Sequence, residues 1–197
     1  MSNLIVERKT EAITITALVA ILLTVCLALP LVMQNTTITW YANYNQYIIG
    51  PAVNAALIYS VLRLKKLHNV VGIVLLPSIC AALLGAIGIN AVFLLYMIPF
   101  IWVGNMAIVL SFRFLFRNTK NAEVRYVMSA IIGIASKVAI IFAGFLIMRA
   151  FGVFPTPVAE RLYTMMGVVQ LITATIGAVI AYAVVKLIKE RNRYQSV

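Results

Sequence analysis

The chain has 197 residues, of which 63% are hydrophobic and only 11% are charged, and its mean hydropathy is +1.03. A water-soluble domain carries roughly 25% charged residues, so this composition excludes that class and indicates an integral membrane protein. Sixteen Lys and Arg against five Glu give a net charge of +11. On a soluble protein this excess would suggest nucleic acid binding, but the positions of the charges indicate membrane topology instead.

Six apolar segments predict six transmembrane helices, because each is near the roughly 20 residues that cross about 30 Å of hydrocarbon. They cover residues 12–33, 48–64, 70–87, 91–112, 126–150 and 161–187. The first follows Arg8 and Lys9, as a signal peptide would, but its apolar part is too long and no small-residue cleavage site follows. We therefore expect an all-α membrane protein with one domain, residues 1–197, folded as a compact bundle of six transmembrane helices.

The basic residues predict how this bundle is oriented. All of them except Arg149, Arg161 and the mid-segment Lys137 fall on one side of the predicted topology. Lys and Arg are enriched in cytoplasmic loops, so both termini are expected in the cytoplasm. We expect a multi-pass protein of the plasma membrane, of bacterial type, whose basic side contacts anionic lipids and has no role with nucleic acid.

The longest predicted outer connection, residues 34–47, is rich in aromatic side chains. It contains Trp40, Tyr41, Tyr44 and Tyr47. Such residues are typical of the aromatic belt at a membrane interface. They can equally form a lid that stacks on a ligand in a pocket below.

Lys137 lies in the middle of the fifth apolar segment, where a charge is costly to bury. The chain has no Asp, and its five Glu residues lie at helix ends or in loops, so no carboxylate is expected at the depth of Lys137. The amine then has three possible states. It binds an anionic or polar ligand, it is a structural amine hydrogen-bonded to carbonyls or amides, or it extends to the membrane interface.

The polar side chains within the apolar segments include Asn54, Asn105, Gln170 and Thr173. Each alone is typical of a hydrogen bond between helices, because an amide in hydrocarbon needs a partner. Together with Lys137 they occupy four different helices, which favours a single polar pocket inside the bundle.

Small residues recur every four positions on the first and last segments, as Ala12, Thr16 and Ala20 and as Thr173, Gly177 and Ala181. Such a strip lets another helix approach closely. Either strip can serve packing within the bundle, and the first can instead dock a partner protein.

Nothing in the sequence indicates an enzyme. His68, Cys26 and Cys80 are isolated from one another, which is too little for a metal site or an iron–sulfur cluster. The phosphate-binding GxxxxGK loop and the GxSxG nucleophile turn are absent from the sequence. No metal and no cofactor are therefore expected.

Four motifs carry a resemblance to a known family. They are GPAVN at residues 50–54, MIPFIWVGN at 97–105, the mid-helix Lys137, and QLITATIG at 170–177. Together with six helices in under 200 residues, they resemble the substrate-binding S component of energy-coupling factor (ECF) transporters. The chain is most similar to the subgroup that carries GPxVN, MIPFIxxGN, a mid-helix Lys and QLxTAxxG. The match runs over most of the chain.

The resemblance implies a subunit that binds a vitamin-like small molecule in an outward-facing pocket. Such a subunit docks through its first helix on a membrane coupling subunit with two cytoplasmic ATPases, which hydrolyse the ATP. The expected substrate-binding residues are Lys137 as counter-charge, Asn54, Asn105, Gln170 and Thr173 around the ligand, and Trp40 and Tyr44 above it. The expected docking residues are Ala12, Thr16 and Ala20, a relaxed form of the family's AxxxA motif.

Two other functions are compatible with the residues. The chain can be a non-transporting membrane scaffold that anchors a partner complex, in which case Lys137 is structural and no ligand binds. It can also be a solitary channel or facilitator. Of the three, only the importer subunit predicts tight, saturable binding by the purified protein.

Overall fold

The computed structural model describes residues 2–34, 45–64, 66–84, 91–115 and 119–194, and within these ranges the chain is helical and has no strands. The helices are α1 (Ser2–Leu23), α2 (Leu29–Gln34), α3 (Gln46–Arg63), α4 (His68–Leu84), α5 (Ala91–Phe114), α6 (Ala122–Ala150), α7 (Thr156–Met166) and α8 (Val168–Tyr194). Four stretches are long and apolar enough to cross a membrane, namely Lys9–Cys26, Val92–Phe114, Ala122–Ala150 and Thr156–Ile188. The predicted all-helical class is confirmed. The length and hydropathy of these four stretches are compatible with a membrane protein.

Two of the predicted segments depart from a regular α-helix. In the first, α1 passes into α2 through a π-helical segment, Thr24–Ala28. The predicted helix 161–187 instead starts at Thr156 and is divided at Gly167, where the backbone turns with φ −101° and ψ −98° between α7 and α8. Both interruptions lie inside continuous apolar sequence, so hydropathy cannot reveal them.

The start of α6 lies four residues before the predicted one because a side chain caps it. Asn121 Oδ1 accepts hydrogen bonds from the backbone N–H groups of Glu123 at 2.9 Å and Val124 at 3.3 Å. These N–H groups have no partner within the helix, and an Asn at the N-cap satisfies them. The polar first turn of α6 is therefore helical although it is not apolar.

Two pairs of helices, α3 with α8 and α5 with α6, make the most extensive contacts in the bundle. In the first pair, a Cβ placed on Gly177 would lie 2.5 Å from Asn54 Cβ. In the second pair, a Cβ on Gly104 would lie 2.8 Å from Ile141 Cγ1 and 3.2 Å from the Lys137 carbonyl oxygen. Glycine thus lets each pair approach backbone to backbone. α1 and α4 pack together against α3, while α7 packs on α6 and α8.

One end of the bundle collects basic residues from four helices. Leu62, Phe112, Tyr126 and Tyr182 line a common cavity there, so the C-terminal ends of α3, α5 and α8 meet the N-terminal end of α6. Arg113 Nη1 also donates to the Leu64 carbonyl oxygen at 3.0 Å. We call this the basic end, defined by the side chains of Arg63, Arg113, Arg125 and Lys186.

The opposite end is closed by aromatic rings from α5, α6 and the segment leading to α7. Phe154 stacks on Phe145 with ring centroids 6.0 Å apart and meets Phe93 edge-on at 6.2 Å. Tyr163 packs edge-on against Phe142 at 5.3 Å. These contacts fix α7 against the C-terminal half of α6.

The close approach of α3 and α8 makes Gly177 sensitive to a single added methyl group. We expect Gly177→Ala to lower stability by about 1–3 kcal/mol, because the new Cβ overlaps Asn54 and forces the helices apart. The check is the midpoint of thermal unfolding of the purified protein in detergent. Gly72→Ala is the matched control, since a Cβ at Gly72 meets nothing within 4 Å. Equal midpoints for the two variants would contradict the close packing.

Candidate binding site

Lys137 and Asn54 form a buried hydrogen bond that joins α6 to α3. Lys137 is 3% exposed and Asn54 is 1% exposed, and Lys137 Nζ donates to Asn54 Oδ1 at 2.6 Å. Asn54 Nδ2 donates in turn to the Gly50 carbonyl oxygen at 2.8 Å. Both halves of the Asn54 amide are therefore engaged, which orients its oxygen toward the amine.

This bond places the Lys137 amine in the middle of the bundle, where it does not extend toward either end. An ammonium has three N–H donors, and Asn54 is the hydrogen-bond partner that the described residues provide. Within the described ranges, no carboxylate forms an ion pair with Lys137. A neutral amide leaves a buried cation without charge compensation, which costs several kcal/mol. The amine therefore favours an anionic or carbonyl oxygen beside it, or the uncharged form.

A cavity of about 70 Å³ lies next to this pair. It is lined by Cys26, Gln46, Ile49, Gly50, Val53, Asn54, Pro77, Ser78, Leu94, Ile101, Asn105, Lys137, Met165, Met166 and Gln170. Gln46 begins α3 and Leu94 lies in the first turn of α5, so the cavity extends from the middle of the bundle away from the basic end. Lys137, Asn54 and Asn105 form its inner part.

Both helix irregularities border the cavity. Cys26 comes from the π-helical segment between α1 and α2, and Met166 directly precedes the break at Gly167. Single π-turns occur frequently at functional sites, and broken helices in membrane proteins are tolerated where they line a cavity. The irregular backbone is therefore concentrated around the polar side chains.

Further polar residues border the cavity, namely Gln46, Ser78, Asn105 and Gln170. Asn105 is 2% exposed, and its Oδ1 has no hydrogen-bond partner in the described part of the chain. A buried acceptor without a donor costs about 1–3 kcal/mol, so this oxygen is available to an N–H or O–H of a bound molecule. Gln170, in the first turn of α8, also borders the cavity. Lys137 supplies donors, Asn105 supplies an acceptor, and Gln170 can supply either.

The predicted site residues divide into three groups. Lys137, Asn54, Asn105 and Gln170 meet at one cavity, whereas Trp40 and Tyr44 lie outside the described residues. Thr173 is fully buried between helices. A Cβ on Gly50 would lie 2.7 Å from Thr173 Cβ, and Thr173 Oγ1 donates to the Gln170 carbonyl oxygen at 3.3 Å. Its observed contacts are those of helix packing.

A hydrogen bond that the sequence reasoning missed supports the cavity wall. Trp102 Nε1 donates to Ser78 Oγ at 2.8 Å and so joins α5 to α4. A Trp N–H inside an apolar helix needs an acceptor. Trp102 in the MIPFIWVGN motif therefore predicts a hydrogen bond to a neighbouring helix. Nothing in the sequence indicated that the acceptor would be Ser78.

The two strips of small residues have opposite environments. Thr173, Gly177 and Ala181 are buried, with Thr173 and Gly177 packed against α3. Ala12, Thr16 and Ala20 are exposed on α1, and Thr16 Oγ1 is turned back onto the Ala12 carbonyl oxygen at 3.0 Å. The last strip serves internal packing, and the first leaves a smooth outer surface.

Comparison with known proteins finds no family model that matches the chain, no similar curated protein and no similar solved structure. Any functional assignment therefore rests on these residues and their geometry. The features that bear on it are the buried amine, its neutral partner, the cavity beside them and the exposed strip on α1.

The Lys137–Asn54 bond predicts unequal effects of removing either partner. Asn54→Leu leaves a buried amine without its acceptor and should cost about 3–5 kcal/mol. Lys137→Met leaves only a neutral acceptor unpaired and should cost about 1–3 kcal/mol. Thermal unfolding in detergent of the two single variants and the double variant measures the coupling. We expect the double variant to be more stable than Asn54→Leu alone, and strictly additive losses would argue against the bond.

Proposed function

We propose that the chain is the substrate-binding subunit of an ECF-type ABC importer, which captures a vitamin-like small molecule from outside the cell. The observation that carries this proposal is a buried lysine with a neutral partner beside a polar cavity. In membrane proteins, an ionisable residue in this position is by default a candidate for substrate contact.

The topology that belongs to this proposal has six spans. The first comprises α1 and α2, the next four are α3, α4, α5 and α6, and the last comprises α7 and α8. The excess of Lys and Arg at the basic end supports an orientation in which that end, with both termini, faces the cytoplasm. The cavity extends away from the basic end, so in this orientation it lies in the outer half of the plasma membrane.

The ligand suited to this site carries an anionic or carbonyl oxygen close to an N–H or O–H group. Its oxygen would accept from Lys137, and its donor would satisfy Asn105 Oδ1, the unpartnered acceptor. Gln170 would contact either group, while Asn54 would hold the amine in place. Thr173 would act through packing beneath Gln170.

The cavity is smaller than such a ligand needs. Small-molecule pockets commonly measure roughly 300–1,000 Å³, against about 70 Å³ here. Binding would therefore require the surrounding helices to move apart, and the break at Gly167 and the π-helical segment are the points where the backbone is least regular. Trp40 and Tyr44 would then close over the bound molecule.

Active uptake would need partner proteins, since the chain carries no ATP-binding motif. In the proposed complex, the exposed strip of Ala12, Thr16 and Ala20 docks on the membrane coupling subunit, which carries two cytoplasmic ATPases. Exposed small residues allow close helix contact within a membrane, and all three of these residues are exposed.

A scaffold subunit is the second candidate, and the Lys137–Asn54 bond itself favours it. An uncharged amine bonded to Asn54 would be satisfied without any ligand, and the strip on α1 would serve assembly alone. The two candidates differ in whether the purified protein binds a small molecule.

The binding proposal predicts a metabolite that copurifies with the protein and depends on Lys137. We expect mass spectrometry of small molecules released from the purified protein to find it, and to find at least tenfold less in Lys137→Met, since losing a charge-assisted hydrogen bond costs roughly 1.5–3 kcal/mol. Lys186→Met is the matched control, because Lys186 borders a different cavity at the basic end. If neither the native protein nor Lys137→Met retains a metabolite although both are folded, the scaffold candidate replaces the importer.

The docking proposal predicts that Thr16 affects uptake without affecting binding. Thr16→Leu adds bulk to the exposed strip and should reduce substrate uptake severalfold in cells that express the coupling subunit and both ATPases. Thr175→Leu is the matched control, because Thr175 is also exposed and also hydrogen-bonds to the carbonyl four residues earlier. Equal uptake by the two variants would exclude the strip as the docking surface.

A further inference from the structure

A second, larger cavity lies at the basic end and shares no lining residue with the cavity beside Lys137. It has a volume of about 390 Å³ and lies between α3, α5, α6 and α8. It is lined by Leu62, Phe112, Ala122, Glu123, Arg125, Tyr126, Ser129, Tyr182, Val185 and Lys186. Its walls are apolar and aromatic, while its charged residues come from the first turn of α6 and from α8.

Its aromatic walls are held in place by defined contacts. Tyr126 donates its hydroxyl to the Ala178 carbonyl oxygen at 2.7 Å, which ties α6 to α8. The Tyr126 ring lies 5.1 Å, centroid to centroid, from both Phe112 and Tyr182. Three aromatic rings that pack against one another therefore line the cavity.

The charges at its edge favour an anion. Glu123 Oε1 accepts a hydrogen bond from the Tyr182 hydroxyl at 3.1 Å, and Lys186 Nζ lies 5.9 Å from the centre of the Tyr182 ring. Within the described ranges, neither Arg125 nor Lys186 forms an ion pair with a carboxylate. Two cations beside one carboxylate leave a local excess of positive charge.

A buried hydroxyl supplies an independent sign of a ligand. Ser129 is 1% exposed and lines the cavity, and its Oγ has no hydrogen-bond partner in the described part of the chain. A helical Ser in an apolar bundle normally bonds back to a carbonyl of the preceding turn, as Ser111 Oγ does to Ile108 O at 2.7 Å. Ser129 does not, so its hydroxyl is available to a group in the cavity.

We propose that this cavity binds one anionic phospholipid. The phosphate would lie between Arg125 and Lys186, the ester region would reach the Ser129 hydroxyl, and the first part of one acyl chain would lie along Leu62 and Phe112. Basic pockets between membrane helices on the cytoplasmic side suit such head groups. The site is separate from the cavity at Lys137 and does not depend on the importer proposal.

Native mass spectrometry of the detergent-purified protein tests this with phosphatidylglycerol and phosphatidylcholine of identical acyl chains. We expect one phosphatidylglycerol to be retained in preference to phosphatidylcholine. Arg125→Gln with Lys186→Gln should weaken its retention about 25-fold, because each basic contact is worth about a factor of five. Arg63→Gln is the charge control at the same end, since Arg63 lies over the Tyr59 ring and outside the cavity.

Substitutions at two adjacent valines distinguish binding in the cavity from binding elsewhere on the protein surface. Val185→Trp fills the cavity and should abolish retention. Val184 lines a separate groove between α1, α3 and α8, so Val184→Trp should not abolish it. Equal retention by the two variants would overturn the proposal. Displacement by inorganic phosphate alone would show an anion site without a lipid, and retention of an acidic peptide in place of lipid would show a protein-docking site. If Val185→Trp does not fold, Ser129→Ala replaces it, and unchanged retention then counts against the site.

Discussion

The hydrogen bond from Lys137 to Asn54 is the buried polar contact that joins the two most closely packed helix pairs, and an apolar cluster of residues from the same four helices packs beside it. Lys137 belongs to the α5–α6 pair and Asn54 to the α3–α8 pair. Each residue sits where a glycine of the neighbouring helix allows close approach, Gly104 behind Lys137 and Gly177 behind Asn54. The two helix pairs therefore share a polar contact that lies between closely packed backbones. A cavity remains beside this contact.

The motifs of the sequence acquire a physical meaning in this arrangement. GPAVN and QLITATIG lie against each other, with Gly50 against Thr173 and Gly177 against Asn54, so the two motifs form one helix interface. MIPFIWVGN contributes Gly104 to packing against α6 and Asn105 to the cavity. Residues within a single motif thus have different tasks, some allowing helices to approach and others presenting polar atoms.

The two cavities differ in chemistry as well as in position. The one beside Lys137 is small and combines a buried amine with four amides, which suits a compact polar solute once the helices separate. The one at the basic end is larger and mostly aromatic, with cations at its edge, which suits an amphipathic anion. A lipid bound at the basic end would bridge α6 and α8, and a solute beside Lys137 would contact the same two helices from the other end.

The sequence by itself determined the all-helical class, the long apolar stretches, the charge asymmetry and five of the buried polar residues, namely Lys137, Asn54, Asn105, Gln170 and Thr173. These follow from hydropathy and composition, which depend on the length and kind of each segment and not on its neighbours. The bundle decided which faces of the helices meet. It separated Gln170 at the cavity from Thr173 in the α3–α8 contact, and the exposed strip on α1 from the buried one on α8. It also divided the last apolar segment at Gly167, because a backbone turn flanked by apolar residues leaves no trace in hydropathy. A polar residue's role depends on which helix it faces, and that is a property of packing alone.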